Sequence, residues 1–174
     1  LGIPVYIADE ESKRLTNQSA IIRQQLIAHY GEAIYTAEGL NKPLLAAKIF
    51  QDPEQLRIVN GIIHPEVKHH FRAWTAQQTT PLCAIESAIL FESGFDKEVD
   101  THLMVYAPKT LRIERATARD AASKETIIQR IESQMADEEK RKLANHLIYN
   151  DNLQPLIPQV TRFIAQLQDN SKTF

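Results

Sequence analysis

The chain has 174 residues, with 20 Lys+Arg against 22 Asp+Glu and a formal charge of −2. Hydrophobic residues make up 43% and charged residues 24%, a globular composition that excludes a disordered chain. The even balance excludes a broadly basic nucleic-acid-binding protein, and no apolar run reaches the ~20 residues of a membrane span.

The opening Leu1-Gly2-Ile3-Pro4-Val5-Tyr6-Ile7-Ala8-Asp9 has no initiator Met and reads as the approach to a strand over residues 4–9. Asp9-Glu10-Glu11-Ser12 then starts a helix. A carboxylate at the carboxyl end of a parallel strand lies where open α/β sheets bind ligands, and it could orient or deprotonate a hydroxyl. The plainer reading of Asp9 is a helix N-cap.

Asp52-Pro53-Glu54 opens a long helix toward Trp74. Leu56, Val59, Ile63, Val67, Phe71 and Trp74 recur every three or four residues and form its apolar stripe. His64-Pro65 falls inside that stripe, which predicts a kink or a break. His64, His69 and His70 do not share one helical face and have no cysteine nearby, so no metal site is expected there.

A second strand is expected over residues 82–89, after the turn-like Gln77-Gln78-Thr79-Thr80-Pro81. Cys83, the single cysteine, reads as a core residue; unable to form an intrachain disulfide, it points to a reducing, cytoplasmic setting. Glu86 is expected to be buried in that strand, where a carboxylate needs a partner from the backbone or a basic neighbour. A third strand is expected over residues 101–106, a helix over 108–119, a second helix capped by Ser123, a fourth strand over 146–149 and a last helix over 153–167. Strands spaced by helices predict a parallel sheet with helical crossovers.

Arg112, Arg115 and Arg119 fall at i, i+3 and i+7 of one helix and share a face, with Arg130 on the next helix. Converging guanidinium groups fork onto phosphate oxygens and could neutralise a polyphosphate. The plainer reading is a solvated face paired with Glu114, Asp120 and Glu132. The five glycines, at 2, 31, 39, 61 and 94, are none of them followed by Lys, so no Gly-x-x-x-x-Gly-Lys-Ser/Thr phosphate loop is present in the sequence.

Taken in order, five segments resemble the dephospho-CoA kinase family of P-loop kinases. They are Leu1 to Asp9, Asn60-Gly61-Ile62-Ile63-His64-Pro65-Glu66-Val67, Ala88-Ile89-Leu90-Phe91-Glu92, Arg115 to Ser123 with Arg130 to Gln134, and Lys142 to Asn150. The resemblance runs from residue 1 to about 151. It departs from the family pattern at Ile7-Ala8-Asp9, where the family has two acids, at Asn145, where it commonly has Asp, and in the phosphate loop.

The resemblance implies one α/β kinase domain over residues 1–174, a three-layer parallel sheet flanked by helices. Residues 34–80 would form a helical insertion that binds coenzyme A, and residues 109–144 a helical lid. The implied reaction is ATP-dependent phosphorylation of the ribose 3′-hydroxyl of dephospho-coenzyme A. Its catalytic residues would be Asp9, Arg115 and Arg119. His64, Pro65 and Glu86 would bind the acceptor, and Arg115, Arg119, Arg130 and Asn150 the nucleotide. ATP would bring Mg²⁺, with no protein metal site. The expected partners are these small molecules, neither nucleic acid nor membrane, with no oligomeric state specified. The alternatives are a non-catalytic, truncated or degenerate binding module of the same fold, or another small-molecule P-loop kinase. The resemblance also leads us to expect an upstream strand, a Gly-rich loop ending in Gly-Lys-Ser/Thr and a helix leading into Leu1, or else another chain filling the slot. The strand feeding that loop is central in such sheets, and a gap there would unpair two rows of backbone groups.

Overall fold

A computed structural model describes residues 1–49 and 52–170, which fall into two compact units divided between Ser93 and Gly94. In the first, β1 (Val5–Ile7) runs directly into α1 (Ala8–Gln18), followed by α2 (Ala20–Tyr30), the short strands β2 (Tyr35–Thr36) and β3 (Gly39–Leu40), α3 (Lys42–Ile49), α4 (Pro53–Ala76) and β4 (Ala84–Glu86). β1 and β4 are parallel, with Val5 opposite Ala84, Tyr6 opposite Ile85 and Ile7 opposite Glu86.

The elements begin and end where the local chemistry dictates. Ser19 stops α1 and starts α2: its N–H returns to the Leu15 carbonyl at 2.8 Å while its hydroxyl accepts the Ile22 N–H at 3.3 Å. The Asp52 carboxylate accepts the N–H groups of Glu54 and Gln55 at 2.9 and 3.2 Å, and Pro53 loses nothing in the first turn. α2, α3 and α4 then turn Ile22, Leu26, Leu45, Val59 and Ile62 onto Ile34 and Tyr35. Burial of each such side chain is worth about 1.5–3 kcal/mol. The Tyr35 hydroxyl donates to the Thr16 carbonyl at 2.7 Å, which ties the core to α1.

The second unit contains β5 (Leu103–Tyr106), α5 (Lys109–Asp120), α6 (Lys124–Glu132), α7 (Asp137–Leu143), β6 (His146–Tyr149) and α8 (Leu156–Asn170). β5 and β6 are parallel from Leu103 opposite His146 to Tyr106 opposite Tyr149. The Asn145 side chain secures that register by accepting the His102 N–H at 2.9 Å. Ser123 caps α6 by accepting the Thr126 N–H at 3.2 Å.

The α/β class with parallel strands is as expected, the four parallel strands being paired two and two. Several details differ from the sequence reading. α4 is one helix of 24 residues through His64-Pro65. Proline there removes the bond to the carbonyl of Gly61 and crowds it, and a residue without Cβ at that carbonyl leaves it room to tilt. The first strand ends at Ile7, so Asp9 lies inside α1, whose N-cap is Ile7 and has no side-chain cap. The second expected strand keeps only residues 84–86, and Glu86 is exposed at its end rather than buried. β2 and β3 were not expected. They pair around Gly39, whose φ of 119° suits a residue without Cβ, and a Cβ there would strike the Asn17 side chain that binds the Leu40 N–H.

Candidate functional site

In the first unit, the register sets the carboxyl ends of β1 and β4 side by side, with Ile7 opposite Glu86. Asp9 follows two residues after Ile7 and Glu86 ends β4, so the chain brings two carboxylates to one sheet edge. Asp9 lies in the first turn of α1, where the N-terminal end of the helix dipole favours a negative charge. Its side chain is 72% exposed and pairs with Lys13 at 3.3 Å, one turn along. His64 is half-buried midway along α4, and Pro65 beside it is exposed. Burial, and then the neighbouring Lys68 charge, push the His64 imidazole below the usual histidine range, which favours its neutral form.

In the second unit, the three arginines of the α5 face go to different partners. Arg115 donates to the Asn150 carbonyl at 2.9 Å and to the Asn152 side chain at 2.5 Å, joining α5 to the segment after β6. The Asn150 N–H is itself held by the Tyr106 carbonyl at 2.8 Å. Arg119 grips Asp120 at 2.6 Å, and Arg130 of α6 reaches the other oxygen of the same carboxylate at 2.9 Å. Arg112 pairs with Asp137 of α7. The Arg119 hydrogen bond, and after it Arg130, hold the Asp120 carboxyl below the usual range.

Arg112, Arg119, Arg130 and Gln134 surround a cleft of about 120 Å³ with Ile127 and Ile131 in its lining. The three guanidinium groups pair with two carboxylates, Asp120 and Asp137, which leaves one net positive charge among these five groups. A phosphate group carries the oxygens that could replace those carboxylates on the same forks. Of the residues expected on the lid, the cleft gathers Arg119 and Arg130 but not Arg115, which binds the segment after β6. It adds Arg112 and Gln134. The i, i+7 spacing of Arg112 and Arg119 was the signal for the first, while Gln134 closes the Arg130 to Gln134 segment of the resemblance.

Parallel strand-helix units with a carboxylate at the strand ends, together with an arginine-bearing helical pair, define an α/β fold of the P-loop kinase type. The structure resembles that of TT1252 from Thermus thermophilus, with a TM-score of 0.79 and 28% identity over 97% of this chain and 85% of that one. It shares its fold with the dephospho-CoA kinase from Campylobacter jejuni, with a TM-score of 0.61 and 22% identity over 98% of this chain and 86% of that one. The sequence is 51% identical to dephospho-CoA kinase from Bacteroides fragilis over 96% of this chain and 82% of that protein. It is 46% identical to dephospho-CoA kinase from Porphyromonas gingivalis over 97% and 84%. The dephospho-CoA kinase family model matches residues 1–155. The chain belongs to the dephospho-CoA kinase family. Among the described residues, no helix is long and apolar enough to cross a membrane.

Proposed function

We propose that this chain transfers the γ-phosphoryl group of ATP to the ribose 3′-hydroxyl of dephospho-coenzyme A, completing coenzyme A in the cytoplasm. Family membership over residues 1–155 carries the reading. The acceptor oxygen forms a bond to the γ-phosphorus as the bridge to the β-phosphate breaks, ADP leaves, and the hydroxyl proton passes to a base. Asp9 is that base, exposed at the carboxyl end of β1, with Lys13 beside it as counter-charge. Phosphoryl transfer demands alignment and charge neutralisation more than covalent help. Arg115, Arg119 and Arg130 supply the charge, with Arg112 beside Arg119 and Arg130 in the cleft. Arg115 also holds Asn150, which fixes the edge of the nucleotide site.

Mg²⁺ would come with ATP and would supply charge neutralisation at the transferring phosphoryl group. His64 and Pro65, within a helical region over residues 34–80 that binds coenzyme A, contact the acceptor together with Glu86 at the end of β4. Residues 109–144 act as a lid, and both units work as a single kinase domain. The test is ADP release from ATP with dephospho-coenzyme A as acceptor, with the product's 3′-phosphate located by ³¹P NMR. Equal turnover of adenosine or another nucleoside would overturn the acceptor assignment.

A further inference from the structure

Tyr6, Glu11, Arg14 and His70 form a polar cluster that the reaction above does not use. Tyr6, in β1, is 2% exposed; its ring lies edge-on to Phe71 and Trp74 of α4, at centroid distances of 5.2 and 5.4 Å. Its hydroxyl is 2.9 Å from Nδ1 of His70. On the other side of the imidazole, an Arg14 guanidinium nitrogen lies 2.9 Å from Nε2. Glu11 holds Arg14 at 2.7 Å and lies 3.7 Å from His70 Nδ1.

The donors decide the proton's place. Arginine has no lone pair to offer, so Nε2 of His70 must be the acceptor. The ring proton therefore sits on Nδ1, where it is donated to the Tyr6 oxygen and faces the Glu11 carboxylate. Burial first, and then Glu11, raise the Tyr6 hydroxyl to about 12, with Arg14 acting in the opposite direction. The hydroxyl therefore keeps its own hydrogen.

We propose that His70, as the neutral Nδ1–H tautomer, is a positioning residue that latches α4 to the β1–α1 junction and thereby aims Asp9. Glu11 and Asp9 are two residues apart on α1, so they point to nearly opposite sides of that helix. Pinning Glu11 and Arg14 onto α4 turns Asp9 outward, in keeping with its 72% exposure. α4 also carries His64 and Pro65, so the latch couples the proposed acceptor helix to the proposed base. The kinetic part of this inference rests on the reading of Asp9 given above; the tautomer does not.

Two measurements on the intact protein test it. Long-range ¹H–¹⁵N NMR at mildly alkaline pH should show His70 with a protonated Nδ1 and a bare Nε2. Nε2–H, or an imidazolium, would overturn the latch whatever the enzyme's activity. Kinetically, His70→Phe should lower kcat by about 10- to 100-fold, the scale of a misplaced catalytic group, with KM for ATP unchanged. His70→Gln, whose amide oxygen can take the Arg14 bond, should recover most of that loss. Unchanged kcat in His70→Phe would overturn the proposal. So would equal losses in both variants, which also covers a Phe variant that fails to fold. Absence of any dephospho-coenzyme A phosphorylation by the wild-type protein would instead overturn the functional reading and leave the tautomer result to stand or fall alone.

Discussion

In residues 1–93, α2, α3 and α4 are joined by side chains such as Ile22, Leu26, Leu45, Val59 and Ile62, each at 7% exposure or less. In residues 94–174, α5 and α7 bury no residue, and their links run through charge. The ion pairs lean the same way, although Glu11 of α1 also reaches His70 of α4 in the first unit and Arg119–Asp120 lies within α5 in the second. Lys13–Asp9, Arg14–Glu11 and Arg57–Glu54 each lie within one helix of the first unit. In the second, Lys109–Glu132 and Arg130–Asp120 join α5 to α6, and Arg112–Asp137 joins α5 to α7. Apolar packing holds one arrangement and resists salt, whereas exposed pairs are weak, screened and exchangeable. In the function proposed above, the acceptor-binding region would use the first kind of joint, and the lid, which must release one anion to take another, the second.

The largest effect expected is at Asp9. Asp9→Ala should lower kcat by about 10²–10⁴-fold, the usual share of a general base, with little change in KM for ATP. The side chain is exposed, so thermal unfolding should hardly move. Turnover close to wild type would remove Asp9 from the chemistry.

Next comes the packed joint. Leu26→Ala should cost about 2–5 kcal/mol in urea unfolding, because the site is closed on every side. Glu132→Gln, which cuts an exposed pair between α5 and α6, should cost less than about 1 kcal/mol. If the two changes destabilise equally, the contrast between the units fails.

Arg119→Ala should slow phosphoryl transfer by about 10²-fold, the scale of one lost charge-stabilising donor. Arg119→Lys should recover only part of this, since an ammonium cannot fork onto two oxygens. Full recovery would reduce Arg119 to diffuse charge.

The smallest effect concerns Asp120. Its carboxyl is held down in the folded chain, so the α5–α6 tie is complete above the ordinary aspartate range. It is lost as pH falls through the lowered folded value. An NMR titration of the carboxyl carbon should show this depression, and Arg119→Gln should move the midpoint back up. A midpoint unmoved by that substitution would show that Arg119 does not hold the carboxylate.

The parallel α/β class and the positions of its four parallel strands were legible in the sequence because β-rich runs alternate with capped helical stripes. Asp52 and Ser123 announced their helices through side-chain chemistry that acts within three residues. What escaped depended on distant neighbours. Glu86 looks buried from its apolar flanks, yet the short β4 leaves it exposed at the strand end. The two-residue strands β2 and β3 carry no alternation, and their turn is fixed by Asn17, more than 20 residues away in sequence. Pro65 marks a helix break by local rules, but packing of Ile62 and Val67 on either side carries α4 through it. The five ordered motifs identified the family; which arginines share a cleft was decided by where Arg119 and Arg130 meet on Asp120 of α5 and where α7 supplies Asp137.

α4 makes contacts with α1, α2 and α3, so none of those three helices can leave the first unit without uncovering part of it. At about 1.5 Å per residue its 24 residues extend some 36 Å, enough to act as a common spine. Opening it exposes Val59, Ile62, Val67 and Phe71 together. Backbone amides along its buried stripe should therefore exchange with deuterium only when residues 1–93 unfold as one cooperative block. The amides of α5 and α7 should exchange through smaller, independent openings. The spine makes the first unit brittle in the thermodynamic sense: it stays whole until it fails all at once.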